Sequence, residues 1–167
     1  MMHCNDGGVN IKLLVVTLLY PLPTNVSRGV FVEDHVKLLR EAGHEVRVIN
    51  PLPWMPKFAE ARRSTLAGVS KAPRTWVRDE QAIFAPRFFA LPAHPYPSLT
   101  RWNLARKAKS IERFLGDWRP DAIVYHTLWP VGVLAERLAK RWNVPWTGVV
   151  HGYDFDVALQ DKSLGKH

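Results

Sequence analysis

The segment Ile11 to Thr17 constrains the fold more than any other part of the sequence. It is nearly all Leu, Ile and Val. A strand with one wet face alternates apolar and polar residues. A run that is apolar at almost every step reads instead as a strand buried on both faces, as in a parallel sheet covered by helices. Turn formers follow, from Tyr20-Pro21-Leu22-Pro23 to Ser27-Arg28-Gly29. Apolar residues then return at helical spacing. Phe31, Val32, Val36, Leu38, Leu39 and Ala42 form one broad stripe on a helix from about Val30 to Ala42. Gly43 supplies its stop, and Val46, Val48 and Ile49 make the next strand. Strand, helix and strand form a βαβ unit whose crossover is expected to be right-handed.

The pattern recurs further on. Pro51, Pro53, Pro56 and Pro73 rule out long regular elements between 51 and 80, leaving room for a short helix within Phe58 to Leu66. Ile83 to Leu91 reads as a strand, with Pro86 marking an irregularity or an edge. Ser98 or Thr100 can cap the next helix. The spacing of Leu104, Ala108, Ile111, Leu115 and Trp118 carries that helix to about Trp118, with Arg106, Lys109 and Arg113 on a solvated face. Ala122 to Tyr125 is a strand ending in His126. Val131 to Trp142 is an amphipathic helix, and Trp146 to Val150 is a strand ending in His151. The alternation predicts the α/β class: a three-layer, Rossmann-like domain with a mainly parallel sheet over residues 11–156. Residues 1–10 read as a leader and 157–167 as a stub.

Composition narrows the function. The chain has 167 residues, 47% of them hydrophobic, enough for one domain with a sizeable core. A lone cysteine, Cys4, excludes a disulfide framework and a Cys-based zinc site. No run approaches the roughly 20 apolar residues of a spanning helix, and nothing before Ile11 carries the basic charge of a secretory leader. The expected location is the cytoplasm, with the inner face of the membrane as a place of peripheral contact. The net charge of +8 points to an anionic partner. Segments 57–78 and 101–113 hold about half of the 23 Lys and Arg, with Trp76 and Trp102 interleaved. That suits an anionic membrane surface. Nucleic acid has no recognition motif to support it.

Ligands of open parallel sheets collect at the carboxyl ends of the strands. The loop before the first helix offers free amides near Gly29, and Arg28 adds charge, an arrangement suited to phosphate or carboxylate. His126 and His151 each end a strand. Asp154 is placed to orient the His151 imidazole or to hold a hydroxyl, and equally to cap a helix. Neither G-x-G-x-x-G nor a P-loop occurs, and no G-x-S-x-G elbow is present. Glu33 and Asp34 begin a helix, where acidic side chains favour the dipole. The two His and one Asp lack an H-x-H or H-x-x-x-H pairing, so no metal is expected.

Three stretches in order carry a resemblance. They are Arg28-Gly29-Val30-Phe31-Val32 with Glu41-Ala42-Gly43-His44-Glu45-Val46, then Arg119-Pro120-Asp121-Ala122-Ile123-Val124-Tyr125-His126, then Val144-Pro145-Trp146-Thr147-Gly148-Val149-Val150-His151-Gly152-Tyr153-Asp154. Together they resemble the N-terminal domain of family-4 glycosyltransferases, retaining enzymes of the GT-B fold. The resemblance implies one half of a GT-B fold, the acceptor side of a cleft. A sugar would pass there from a nucleotide-sugar to a glycan or lipid-linked hydroxyl acceptor, without a resident cofactor. It implies His151 at the reaction centre. Arg28, Gly29, His126, Gly152 and Asp154 would line the same cleft. Arg28 stands where the family often has a first Gly. The family's donor half carries two Glu eight positions apart; Glu33 and Glu41 share that spacing but lie on the first helix. A donor-binding Rossmann domain, in cis or in trans, is therefore expected as a partner, and the chain alone is expected to be inactive. A non-catalytic module binding a sugar or phosphate remains the alternative.

Overall fold

A central strand with no polar face dictates the architecture. The computed structural model describes residues 9–54, 56–61, 66–89, 97–152 and 154. Most of the leader and all of the stub lie outside the described residues, as do Cys4 and Tyr153. The elements are β1 (Lys12–Thr17), α1 (Val30–Glu41), β2 (Glu45–Ile49), β3 (Leu52–Pro53), α2 (Lys57–Glu60), β4 (Thr75–Arg78) and β5 (Gln81–Phe84). Then come β6 (Arg87–Phe88), α3 (Pro97–Ala105), α4 (Ala108–Leu115), β7 (Ala122–His126), α5 (Val131–Trp142) and β8 (Trp146–Val149). The main sheet has the order β4-β5-β2-β1-β7-β8 and is parallel except for the β4–β5 hairpin. β3 and β6 form a separate two-stranded sheet.

β1 packs on both sides. Leu13 and Val15 meet Val32 and Val36 of α1. Leu14 and Val16 meet Leu104, Ile111, Leu134 and Leu138 from α3, α4 and α5. These two cores make the three layers. α1 and α5 lie on opposite faces, as a single crossover hand requires when β1→β2 and β7→β8 run in opposite directions along the sheet.

Several expectations need correction. The helix to Trp118 is broken at Arg106-Lys107, where Lys107 N–H bonds back only three residues to Leu104 O and Ser110 Oγ donates to Lys107 O. The apolar stripe nevertheless stays buried across the break, because Leu104 to Ala108 is still a step of four. Thr100 is not a cap; it is buried inside α3. The strand expected from Ile83 to Leu91 is cut at Pro86 into β5 and β6, which belong to different sheets; residues 90 and 91 lie outside the described set. The stripe of α1 is narrower than expected, since Leu38 is 63% exposed and Ala42 faces solvent. Glu33 does more than face a dipole. It is buried and paired with Arg78 of β4, Nη2 to Oε2 at 3.0 Å, and that guanidinium holds its carboxyl below the usual range.

One contact fixes β8 against β7. A Cβ on Gly148 would lie 2.4 Å from Cζ of Tyr125, whose ring also meets the Cβ position of Gly132 at 3.3 Å. Gly148→Ala is expected to lower stability by about 2 kcal/mol through overpacking. Thermal unfolding checks this, and Tyr125→Leu in the same chain should recover part of the loss.

Candidate functional site

At the carboxyl edge of the sheet the chain leaves β1 toward α1 and β2, while β7 lies on the other side of β1. The strand order therefore reverses between β1 and β7, the place where open parallel sheets hold their ligands. Thr17 and His126 are register partners across it.

The loop after β1 is held from several sides. Thr17 Oγ1 accepts Leu19 N–H at 3.0 Å and donates to Leu19 O at 3.1 Å. Arg28 Nη1 donates to Leu18 O. Asn50, in the orientation that satisfies its amide, donates to Thr17 O at 2.9 Å and to Leu18 O at 3.0 Å. Gly29 caps α1 in the left-handed region, φ 63° and ψ 29°. Its carbonyl accepts Val32 N–H and Glu33 N–H. No side chain caps α1, so among the described residues the amides of Val30 and Phe31 keep no partner. Two amides at the positive end of a 12-residue helix favour an anion there.

On the α1 side of the sheet three imidazoles stand in a row. His35 Nδ1 lies 3.1 Å from His126 Nε2, and His126 Nδ1 lies 3.1 Å from His151 Nε2. The planes of the His126 and His151 rings differ by 15° with their centres 5.3 Å apart, and the Phe31 ring packs T-shaped against His151 at 4.9 Å. His126 is 1% exposed. Burial, with His35 and His151 beside it, pushes its pKa down to about 4, so the central ring is neutral near pH 7. Among the described residues no group of three His, Cys, Asp or Glu could hold a metal ion.

The structure thus brings His126 and His151 together, with Phe31, two residues after Gly29, against the His151 ring, and Gly152 exposed next to His151 in the chain. Arg28 and Asp154 arrive in other roles. Arg28 is buried beneath the loop it bonds to, with no acidic partner among the described residues, and burial pushes its pKa down to about 10. Asp154 is buried too. Its Oδ1 accepts Leu128 N–H at 2.8 Å and its Oδ2 accepts His151 N–H at 3.0 Å. It ties the loops leaving β7 and β8 to each other and leaves the His151 ring to His126. His35, Thr17 and Asn50 were not anticipated. The available signal for His35 was its place one turn after Phe31, which puts both side chains on one edge of α1.

The family described as "Glycosyl transferase 4-like domain" matches residues 29–165. A Bacillus subtilis (strain 168) protein named as a teichuronic acid biosynthesis glycosyltransferase, TuaC, is 25% identical over 152 residues, 88% of this chain and 38% of that protein. The chain thus spans well under half the length of that relative. Among solved structures, the calicheamicin glycosyltransferase CalG4 aligns at TM-score 0.46 and 14% identity over 95% of this chain and 41% of that one. A C-terminal domain of a Pyrococcus furiosus hydrogenase aligns at TM-score 0.45 and 15% identity, over 83% and 90% of the two chains.

Proposed function

The chain belongs to the family of glycosyl transferase 4-like domains, and from that premise we propose that it is the acceptor-side domain of a retaining glycosyltransferase. In this reading a sugar passes from a nucleotide-sugar to a hydroxyl of a glycan or lipid-linked glycan. The observation that carries it is the packing of His151 against the ring of Phe31, whose own amide is one of the two left free at the start of α1, at the switch point of the sheet. Those amides suit a phosphate or carboxylate of donor or acceptor. The exposed part of His151 faces the reacting sugar, and Gly152 lets the chain pass close to it. The name of the relative TuaC supports a glycan as acceptor.

One Rossmann-like domain makes one wall of such a site. A donor-binding domain, in the same polypeptide or another, would supply the second wall, exclude water and hold the leaving phosphate. The experiment is an amide-resolved NMR titration of the chain with UDP- and GDP-sugars and with oligosaccharides. Shifts at Gly29 to Phe31, Leu128, His151 and Gly152 are expected. Shifts confined to other regions, or none with any sugar, would refute the reading. Joined to a donor-binding half, the chain should transfer sugar, and His151→Ala should slow that transfer by about 100-fold or more. Turnover by the 167 residues alone would contradict the two-wall arrangement.

A lipid-linked acceptor is supported by the surface around β3, α2, β6 and α3. Trp54, Phe58, Phe89, Leu99 and Trp102 are exposed there beside Lys57, Arg101 and Arg106. Trp54 N–H donates to Phe88 O at 2.6 Å, which holds β3 to β6. Aromatic rings among basic residues suit an anionic membrane surface. Among the described residues no helix is long and apolar enough to cross a membrane. Salt-sensitive flotation with phosphatidylglycerol vesicles, but not with phosphatidylcholine, is expected. The Trp54→Ser, Trp102→Ser double variant should weaken it several-fold. Equal flotation with both lipids would remove the electrostatic part of the proposal.

A further inference from the structure

We propose that His35 is a positioning residue: through His126 it sets which nitrogen of His151 carries the proton. The use made of His151 rests on the glycosyltransferase reading. The coupling between the three rings stands on geometry alone.

The argument starts from the middle of the row. His126 is closed off from solvent, and each of its ring nitrogens lies 3.1 Å from a nitrogen of another imidazole. A neutral imidazole has one N–H and one lone pair. The two hydrogen bonds must then run in the same sense along the row. In one sense His35 Nδ1–H donates to His126, and His126 Nδ1–H donates to His151 Nε2. The proton of His151 then sits on Nδ1. In the other sense His151 Nε2–H donates to His126, and His126 Nε2–H donates to a bare His35 Nδ1. His151 Nδ1 is then a bare acceptor. The low pKa of His126 keeps the middle ring neutral, which is the condition the argument needs.

His151 Nδ1 has no partner among the described residues. It is the nitrogen left over for a ligand. Whether it donates to a sugar oxygen or accepts from a sugar hydroxyl is the choice the row makes. α1 governs both aspects of this ring. Phe31 packs T-shaped against it and fixes its plane, while His35, four residues later, fixes its proton through His126. The T-shaped contact of His35 with His126, at 64° and 5.1 Å, holds the first ring in place. A merely structural His35 would fill space and bond once. It would have no effect on the far ring.

The test is ¹⁵N-imidazole NMR of the 167-residue chain, without substrate. Couplings across both N–H···N bonds are expected, from His35 to His126 and from His126 to His151. His35→Phe keeps the ring volume and removes the nitrogen. It should change the ratio of the two His151 tautomers several-fold. His35→Asn, whose amide reaches to about the Nδ1 position, should move the ratio back toward that of the parent chain. The proposal fails if the His35–His126 coupling is missing, or if the His151 ratio is the same in His35→Phe while the amide spectrum stays native. If His35→Phe does not fold, the couplings in the parent chain decide alone. Absent couplings leave sugar binding intact, and failed sugar transfer leaves the couplings intact, so the two readings fail separately.

Discussion

Replacing Gly29 with alanine is expected to lower the unfolding free energy by about 4 kcal/mol. Two costs add. An L-residue held in the left-handed region loses about 1–2 kcal/mol. Forcing a methyl group into filled space costs about 1–3 kcal/mol more. Here the space is filled by backbone. The new Cβ would stand 2.4 Å from Leu19 C, 2.5 Å from Leu19 O and 2.7 Å from Tyr20 N. Those atoms are held by Thr17, Arg28 and Asn50 and cannot swing aside. Gly43 is the matched control, since it also has positive φ, at 92°, but its Cβ would meet nothing within 4 Å. Gly43→Ala should cost only about 1 kcal/mol. Urea unfolding followed by Trp fluorescence measures both. Equal losses would mean that the approach of α1 to the loop contributes nothing. In Gly29→Ala the α1 amides also move, so any anion affinity should fall with the stability.

Acidification from pH 7 to pH 4 is expected to remove roughly 3 kcal/mol of stability through His126. Above about pH 6.5 the ring is neutral in both the folded and the unfolded chain, and stability is insensitive to it. Between about 6.5 and 4 the unfolded chain takes up a proton that the folded chain refuses, so stability falls as pH falls. Below about 4 both states hold the proton and the slope ends. The depressed carboxyls of Glu33 and Glu60 lose their contributions only as pH drops below their ordinary range near 4.5. The window from 6.5 to 4.5 therefore separates the His126 imidazole from those two carboxyls. Denaturant midpoints across it should slope in the parent chain and flatten in His126→Asn. Parallel slopes would show that the ring takes up its proton as readily folded as unfolded.

The elements around the switch point were legible because period and terminator agree there. β1, β7, α5 and β8 fall within a residue or so of their expected bounds, and α5 ends on Asn143 in the left-handed region. The β4–β5 hairpin was hidden for a specific reason. Its two-residue turn is Asp79-Glu80, both at positive φ, where sequences usually announce such a turn with glycine. The break between α3 and α4 was hidden because it keeps the apolar stripe in phase. Residue type showed that His126 and His151 end neighbouring strands. It did not show that backbone amides take up Asp154, or that Arg28 turns under its own loop. Nothing local marks His35, a helix residue whose partner is 91 positions away.

That separation bears on when the site comes into being. β1, α1 and β2 are neighbours in the chain and can assemble from local contacts. β7 must then dock beside β1, closing a loop between residues 109 apart where Lys12 N–H meets Asp121 Oδ2 at 2.7 Å. Pairings of such span form slowly, because chain entropy is lost before any contact is gained. As a ribosome releases the chain, the α1 half emerges first and waits with an open flank. The row of imidazoles is completed only when the β8 end arrives. A nascent or half-folded chain therefore lacks the completed row, and sugar binding of the kind proposed would report that assembly has finished.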